Sequence, residues 1–127
     1  MRPSVSSMLL ASTDPGRLRK WYAGSLDPSD NTDMGGYRIL KFGAFYLMID
    51  TRADVGEKNP EPGRVILNFD VPDARAVAAR MNELGTAWLS ELEDRDGSLF
   101  GTAIDPDGNY VQIIQLSAEH RAAMADQ

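Results

Sequence analysis

The chain has 127 residues, of which 43% are hydrophobic and 25% are charged, as is typical of one soluble globular domain. It contains no cysteine, which excludes disulfides, thiolate metal sites and cysteine nucleophiles and is consistent with a cytoplasmic location. The formal net charge of −6 argues against nucleic-acid binding and mildly favours a cationic ligand. No apolar run is long enough to span a membrane.

The first half of the chain begins with a short apolar run at residues 6–12, which predicts a strand. Asp14 and Pro15 then open a helix, because Asp is a good N-cap and Pro suits the first helical position. Apolar residues follow Leu18 at i+3, i+4 and i+8, which predicts an amphipathic helix. Residues 27–36 are rich in turn formers and predict a loop. Two strands are predicted next, at 37–42 and 45–51.

The second half follows the same plan after a linker at residues 57–63, which has two prolines and no apolar anchor. Residues 65–71 are β-branched and aromatic, as a strand requires. Asp73 caps a second helix, and Gly85 ends it. Three strands and a short terminal helix complete the chain, at 87–92, 99–104, 110–116 and from Ser117 onward. Both halves therefore share the order strand, helix, several strands, which indicates an internal repeat.

Three motifs occur in order along this repeat. They are Asp14 with Trp21-Tyr22, the segment FDVPD at 69–73, and the turn DPDGN at 105–109 before an alternating apolar strand. In this order the chain resembles the vicinal oxygen chelate superfamily, which includes glyoxalase I, extradiol dioxygenases and fosfomycin- and bleomycin-resistance proteins. The resemblance implies an α+β fold of two βαβββ modules, with a curled mixed sheet around a cavity and helices on the outside. It also implies a homodimer.

The repeat and the resemblance together predict one domain over residues 1–127. Its parts are a first module at about 5–56, the linker 57–63, a second module at about 64–116 and a tail at 117–127. His120, the single histidine, lies in this tail and is expected to be exposed unless the tail folds back. The tail could also dock on another subunit, although chain ends more often fray in solvent.

Calcium binding is the main alternative for DPDGN and for the similar turn DRDG at 94–97. An EF-hand loop needs oxygen ligands at its first, third and fifth positions and Glu at its twelfth. Counting back from Gly108 puts Ala103 first and Ile114 twelfth. Counting back from Gly97 puts Leu92 first and Ala103 twelfth. Both segments are therefore predicted to be turns.

Metal-dependent members of the superfamily bind the metal through imidazoles and carboxylates on the cavity face of four strands. The resemblance places four other residues at these positions: Ser7, Met48, Ile66 and Gln112. Gln112 replaces the usual acid and brings no charge, and Ile66 cannot coordinate a metal. We therefore predict no metal and no cofactor. The runner-up is an atypical divalent-metal site, which a register shift of two residues would build from Asn68, Asp70 or Asp50.

The same cavity face predicts the binding site for a small organic molecule. By strand alternation it carries apolar, aromatic and hydrogen-bonding residues: Ser7, Leu9, Tyr46, Met48, Ile66, Asn68, Tyr110 and Gln112. Alternatively, these side chains simply fill the interior of a closed sheet. We predict that the protein binds or sequesters its ligand. The alternative function is a lyase, isomerase or dioxygenase with atypical metal ligands, or with acid–base catalysis by Asp50, Tyr110 and Gln112.

Overall fold

The structure, a computed structural model, describes residues 1–125, so that residues 126 and 127 of the predicted tail lie outside it. The described chain forms eight strands and three helices. The first module contains β1 (Ser7–Ser12), α1 (Pro15–Leu26), β2 (Asp30–Met34), β3 (Tyr37–Phe42) and β4 (Phe45–Thr51). The second contains β5 (Leu67–Asp70), α2 (Ala74–Glu83), β6 (Ala87–Arg95), β7 (Ser98–Ile104) and β8 (Tyr110–Gln115), and α3 (Ala118–Ala125) follows.

Each module builds a mixed four-stranded sheet. Sheet one has the order β1-β4-β3-β2 and sheet two has the equivalent order β5-β8-β7-β6. The first strand of each module pairs in parallel with the last, and the other neighbours are antiparallel. The predicted α+β fold of two βαβββ modules is therefore confirmed, with the strands divided between two sheets.

The residues that begin and end the two long helices act as the sequence indicates. The side chain of Asp14 accepts a hydrogen bond from the Arg17 amide at 3.2 Å, and Asp73 accepts one from the Ala76 amide at 3.1 Å. Gly85 follows α2 with a φ of 75°, in the left-handed region where an L side chain would be strained. Capping thus fixes where each helix starts and where α2 ends.

The segment 27–36, predicted as a loop, contains β2, so that part of the prediction was wrong. β2 pairs only with β3, at the edge of sheet one, and all five of its residues are exposed. Its sequence DNTDM lacks the apolar alternation of a half-buried strand, because neither of its faces is covered. Backbone pairing, the Gly35-Gly36 turn and hydrogen bonds from Arg19 of α1 to Asn31 and Asp33 define it.

The core lies between the inner faces of the two sheets and the helices α1 and α2, which also pack against each other. Leu18 and Tyr22 of α1 meet Leu47 of sheet one, and all three are buried. The rings of Phe42 and Phe69 join the two modules edge to face at a centroid distance of 4.9 Å. The opposite face of each sheet has no helix α1 or α2 on it, and we call it the open face. No helix within residues 1–125 combines the length and apolar character needed to cross a membrane.

Candidate functional site

The open face of sheet one carries half of the predicted binding residues. Ser7 is paired with Tyr46 and Leu9 with Met48, so these four side chains project from the same side of the sheet. Leu9 is 42% exposed and Tyr46 is 40% exposed. A cavity of about 380 Å³ lies on this face. Its lining consists of Ser7, Asp30, Thr32, Met34, Ile39, Lys41, Tyr46 and Met48.

The open face of sheet two carries the remaining predicted residues. Asn68 of β5 is paired with Gln112 of β8, and Gln112 is paired with Thr102 of β7. Tyr110 lies two residues before Gln112 on the same face. Ile66 precedes β5 by one residue and is 41% exposed. Amide and hydroxyl groups thus lie side by side across three strands, where each can donate a hydrogen bond to a ligand or accept one from it.

The structure does not bring the two groups of residues into one pocket within the chain. They belong to sheets that share no strand pair, and the 380 Å³ cavity is lined by sheet one alone. The three residues considered for catalysis are divided in the same way. Asp50 lies on β4, whereas Tyr110 and Gln112 lie on β8.

The side chains at the predicted metal positions do not fit a divalent metal. Ser7 and Met48 offer a hydroxyl and a thioether, Gln112 offers a neutral amide, and Ile66 has no donor atom. Across residues 1–125, no group of three or more His, Cys, Asp or Glu side chains is arranged to hold a metal ion. The carboxylate of Asp50 is on sheet one and that of Asp70 is on sheet two.

The DPDGN turn has a structural role that the sequence did not reveal. The Tyr22 hydroxyl on α1 donates a 2.6 Å hydrogen bond to Oδ2 of Asp105, and the amides of Asp107 and Asn109 donate to Oδ1. Burial raises the pKa of Asp105, even though these hydrogen bonds favour the ionised form. Burial and the neighbouring Asp105 charge raise the pKa of Tyr22 well above its ordinary value. Two of the three motifs therefore meet and fasten the first helix to the second module.

The linker adds to this attachment. The Asn59 amide donates to the Asp107 carbonyl at 2.8 Å, and the Asn59 side chain donates to Oδ1 of Asn109 at 2.9 Å. Lys58 Nζ donates to the Pro106 carbonyl at 2.5 Å. The segment predicted as an unanchored linker is therefore held by polar contacts to the turn.

His120 is half-buried, so the expectation that it is exposed was wrong. Its Nδ1 forms a hydrogen bond with Oγ of Ser98, a buried residue, and that same Oγ accepts from the Ser117 amide at 2.8 Å. Arg121 on the same helix forms two 3.0 Å hydrogen bonds with Asp70, which hold the pKa of Asp70 below its ordinary value. The tail thus folds back and reaches Asp70 on the open face of sheet two. The sequence carried no signal of this, since Ser98 lies 22 residues before His120.

Comparison with known proteins agrees with this architecture. Residues 7–114 match the model of the glyoxalase-like domain family. No curated protein sequence matches significantly.

Solved structures with the same fold cover nearly the whole chain. The fosfomycin resistance protein FosX from Mesorhizobium loti is 19% identical with a TM-score of 0.75, covering 96% of this chain and 99% of that one. A glyoxalase/bleomycin resistance protein from Albidiferax ferrireducens T118 is 17% identical with a TM-score of 0.71, covering 88% and 98%. Oxidase ChaP-H2 is 16% identical with a TM-score of 0.73, covering 92% and 96%. The family match and the fold together show that the chain belongs to the glyoxalase-like domain family of the vicinal oxygen chelate superfamily.

Proposed function

We propose that this protein binds a small organic molecule on the open faces of its two sheets without using a metal. The observation that carries the proposal is the register of the strands. It collects Ser7, Leu9, Tyr46 and Met48 on one open face and Asn68, Tyr110 and Gln112 on the other. Each face combines apolar or aromatic surface with a few hydrogen-bonding groups, among them the charged Asp30 and Lys41 in the cavity of sheet one, which is the usual character of a ligand pocket.

The donor chemistry supports binding without a metal. A divalent ion prefers imidazoles or carboxylates, whereas the positions in question carry a hydroxyl, a thioether, an isoleucine and an amide. These groups suit a neutral or weakly polar organic ligand, because an amide and a hydroxyl can each donate and accept.

A second copy of the chain is part of the proposal. Within one chain the two sets of residues lie on separate sheets, and Leu9 and Tyr46 stay partly exposed to solvent. Placing the open face of sheet one against the open face of sheet two of another copy would bring both sets around one enclosed space. We therefore include a homodimer in the proposal, because the proposed site is incomplete in a single chain.

The direct test is calorimetric titration of the purified protein in the presence of a chelator. Bleomycin and fosfomycin are suitable first probes, because structural relatives are named after resistance to them. A wider panel of small organic molecules follows. We expect saturable binding that survives chelation and that weakens about tenfold or more in Tyr46→Ala and in Gln112→Ala, as loss of a buried contact on either face predicts.

Arg75→Ala is the control for Tyr46→Ala, since Arg75 is an exposed residue of α2 and lies on neither open face. Its affinity should equal that of the unchanged protein. Binding that appears only after a divalent metal is added would contradict the metal-free site. Binding that neither Tyr46→Ala nor Gln112→Ala weakens would place the ligand elsewhere.

A further inference from the structure

A second cavity, of about 520 Å³, lies between α1, the start of β6 and the DPDGN turn. We call it the turn cavity; its walls include Arg17, Lys20, Trp21, Lys58, Leu84 and Ile104. None of the residues assigned above to the ligand site lines it. Its volume is within the range of small-molecule pockets.

One wall of the turn cavity is apolar and held in place. Trp21 is buried, and its Nε1 donates a 2.8 Å hydrogen bond to Oγ1 of Thr86, which fixes the plane of the indole. Leu84 and Ile104 extend this wall. A flat or aliphatic group could therefore pack here without reordering the protein.

The charged residues that line the turn cavity are mainly cations, although the whole chain has a net negative charge. The protein has 19 acidic and 13 basic residues, yet three cations, Arg17, Lys20 and Lys58, line this cavity with one carboxylate, Asp105. Asp105 is only 3% exposed, and both of its oxygens already accept hydrogen bonds. It is therefore committed to the turn and offers little to a ligand.

Two of these cations are held on the same acceptor. Arg17 Nη2 at 3.3 Å and Lys58 Nζ at 2.5 Å both donate to the carbonyl of Pro106. Because both cationic groups lie within hydrogen-bonding distance of one carbonyl oxygen, their positive charges are close together and repel each other. Asp107 at 3.3 Å and Asp14 at 3.9 Å offset the charge of Arg17, but within residues 1–125 neither Lys20 nor Lys58 forms an ion pair, so the uncompensated charge is that of the two lysines. An anion in the cavity would relieve this repulsion.

We propose that the turn cavity is a binding site for a small organic anion, a carboxylate or phosphate attached to an aromatic or aliphatic group. The anionic group lies among Lys20, Lys58 and Arg17, and the apolar group packs on the wall formed by Trp21 and Leu84. A guanidinium and two ammonium groups together suit either oxyanion. The proposal goes beyond the function assigned to the open faces and does not depend on it.

Tryptophan fluorescence provides the test, because the chain has two tryptophans and only Trp21 lines the turn cavity. In a Trp88→Phe variant all of the indole emission comes from Trp21. We expect phenyl phosphate or benzoate to change this emission saturably. Inorganic phosphate, which lacks the apolar group, should bind at least about tenfold more weakly, and benzylamine should have no effect. Calorimetry on the unchanged protein gives the same comparison without any substitution.

Charge variants decide where the anion binds. The double variant Lys20→Gln with Lys58→Gln should weaken the binding of phenyl phosphate or benzoate by about tenfold or more, because it removes two cations that would pair with the anionic group of the ligand. The single variant Lys20→Gln removes an exposed side chain and secures the result if the double variant does not fold. Arg75→Gln removes an exposed cation of α2 that lines neither the turn cavity nor the cavity of sheet one, so it is the control and should leave the affinity unchanged.

Three results would overturn the proposal. The first is that phenyl phosphate and benzoate give neither a saturable emission change nor a heat of binding. The second is that Lys20→Gln and Lys58→Gln leave the affinity for them unchanged. The third is that benzylamine binds as tightly as they do. Each of these leaves the site on the open faces untouched, since that site is tested with different residues and different probes.

Discussion

Tyr22 and Asp105 show how a pair of residues can unite two modules. They lie 83 positions apart, and both are almost fully buried. The hydrogen bond between them is short, and its acceptor is a carboxylate, which makes it stronger than a bond between neutral groups. Because Tyr22 is on α1 and Asp105 begins the turn before β8, the pair links the first module to the second.

Replacing Tyr22 with Phe should lower the free energy of unfolding by about 1–3 kcal/mol. The cost is limited because Oδ2 of Asp105 still accepts a 2.9 Å hydrogen bond from the Asn109 side chain. Urea unfolding measures the change. Tyr37→Phe alters an exposed tyrosine and should shift the free energy by no more than about 0.5 kcal/mol. Equal effects of the two variants would show that the Tyr22–Asp105 hydrogen bond contributes nothing.

The raised pKa of Tyr22 also predicts a loss of stability in alkali. The folded protein keeps this hydroxyl protonated to a higher pH than the unfolded chain, in which tyrosine ionises near pH 10.0. The contribution of Tyr22 to the free energy of unfolding is therefore fully present below about pH 10. It decreases as the pH rises further, because in that range the unfolded chain releases the proton and the folded protein does not.

Unfolding free energies measured between pH 9 and 11 test this directly, with phenolate absorbance followed in parallel. The unchanged protein should lose stability more steeply than Tyr22→Phe. Its last tyrosine should ionise together with unfolding, a step that is missing from the variant. Parallel pH profiles for the two proteins would contradict the prediction.

At the scale of elements, α3 is attached by a few polar contacts, and none of its side chains is fully buried. His120 forms a hydrogen bond with Ser98, and Arg121 forms one with the exposed Asp70. Contacts of this kind contribute little to global stability but can decide whether a terminal helix is docked or frayed.

The variant His120→Ala with Arg121→Gln should therefore undock α3 while the rest of the fold remains. We expect faster amide hydrogen exchange in residues 117–125 and a fall in the free energy of unfolding of about 1 kcal/mol or less. Glu119→Ala changes an exposed neighbour on the same helix and should leave the exchange rates as they are. Unchanged exchange in the double variant would mean that other interactions dock the helix.

The elements themselves differ in how far the sequence predicts them. α1 and α2 were predictable because capping residues and a periodic apolar stripe act locally. β2 was not, because its exposed residues are specified by pairing with β3 and by contacts with the distant Arg19, neither of which a local pattern shows. The face of each predicted site residue followed from strand alternation. The placement of the two sheets relative to each other was not predictable. It depends on long-range contacts such as the one between Tyr22 and Asp105, and no local sequence pattern indicates such contacts.

At the scale of the whole molecule, the two open faces are the sheet surfaces that neither α1 nor α2 covers. Helices cover the other side of both sheets, while Leu9, Met34 and Tyr46 remain partly exposed on sheet one. Apolar side chains grouped on one sheet face indicate an interaction surface, whereas scattered ones would need no explanation. The partner that we propose is a second copy of the chain, because it would also complete the ligand site.

A lysine on the open face should therefore prevent dimerisation without unfolding the chain. Leu9→Lys puts a charge within the proposed interface, where it would be buried without a partner. Leu84→Lys makes the same change at a residue of nearly equal exposure, 41% against 42%, at the C-terminal end of α2. Light scattering should give twice the chain mass of 14.0 kDa for the unchanged protein and Leu84→Lys, and a single chain mass for Leu9→Lys. Ligand binding should weaken together with dimerisation, because each open face supplies only half of the contacts. A monomeric unchanged protein that still binds its ligand would show that one open face is sufficient.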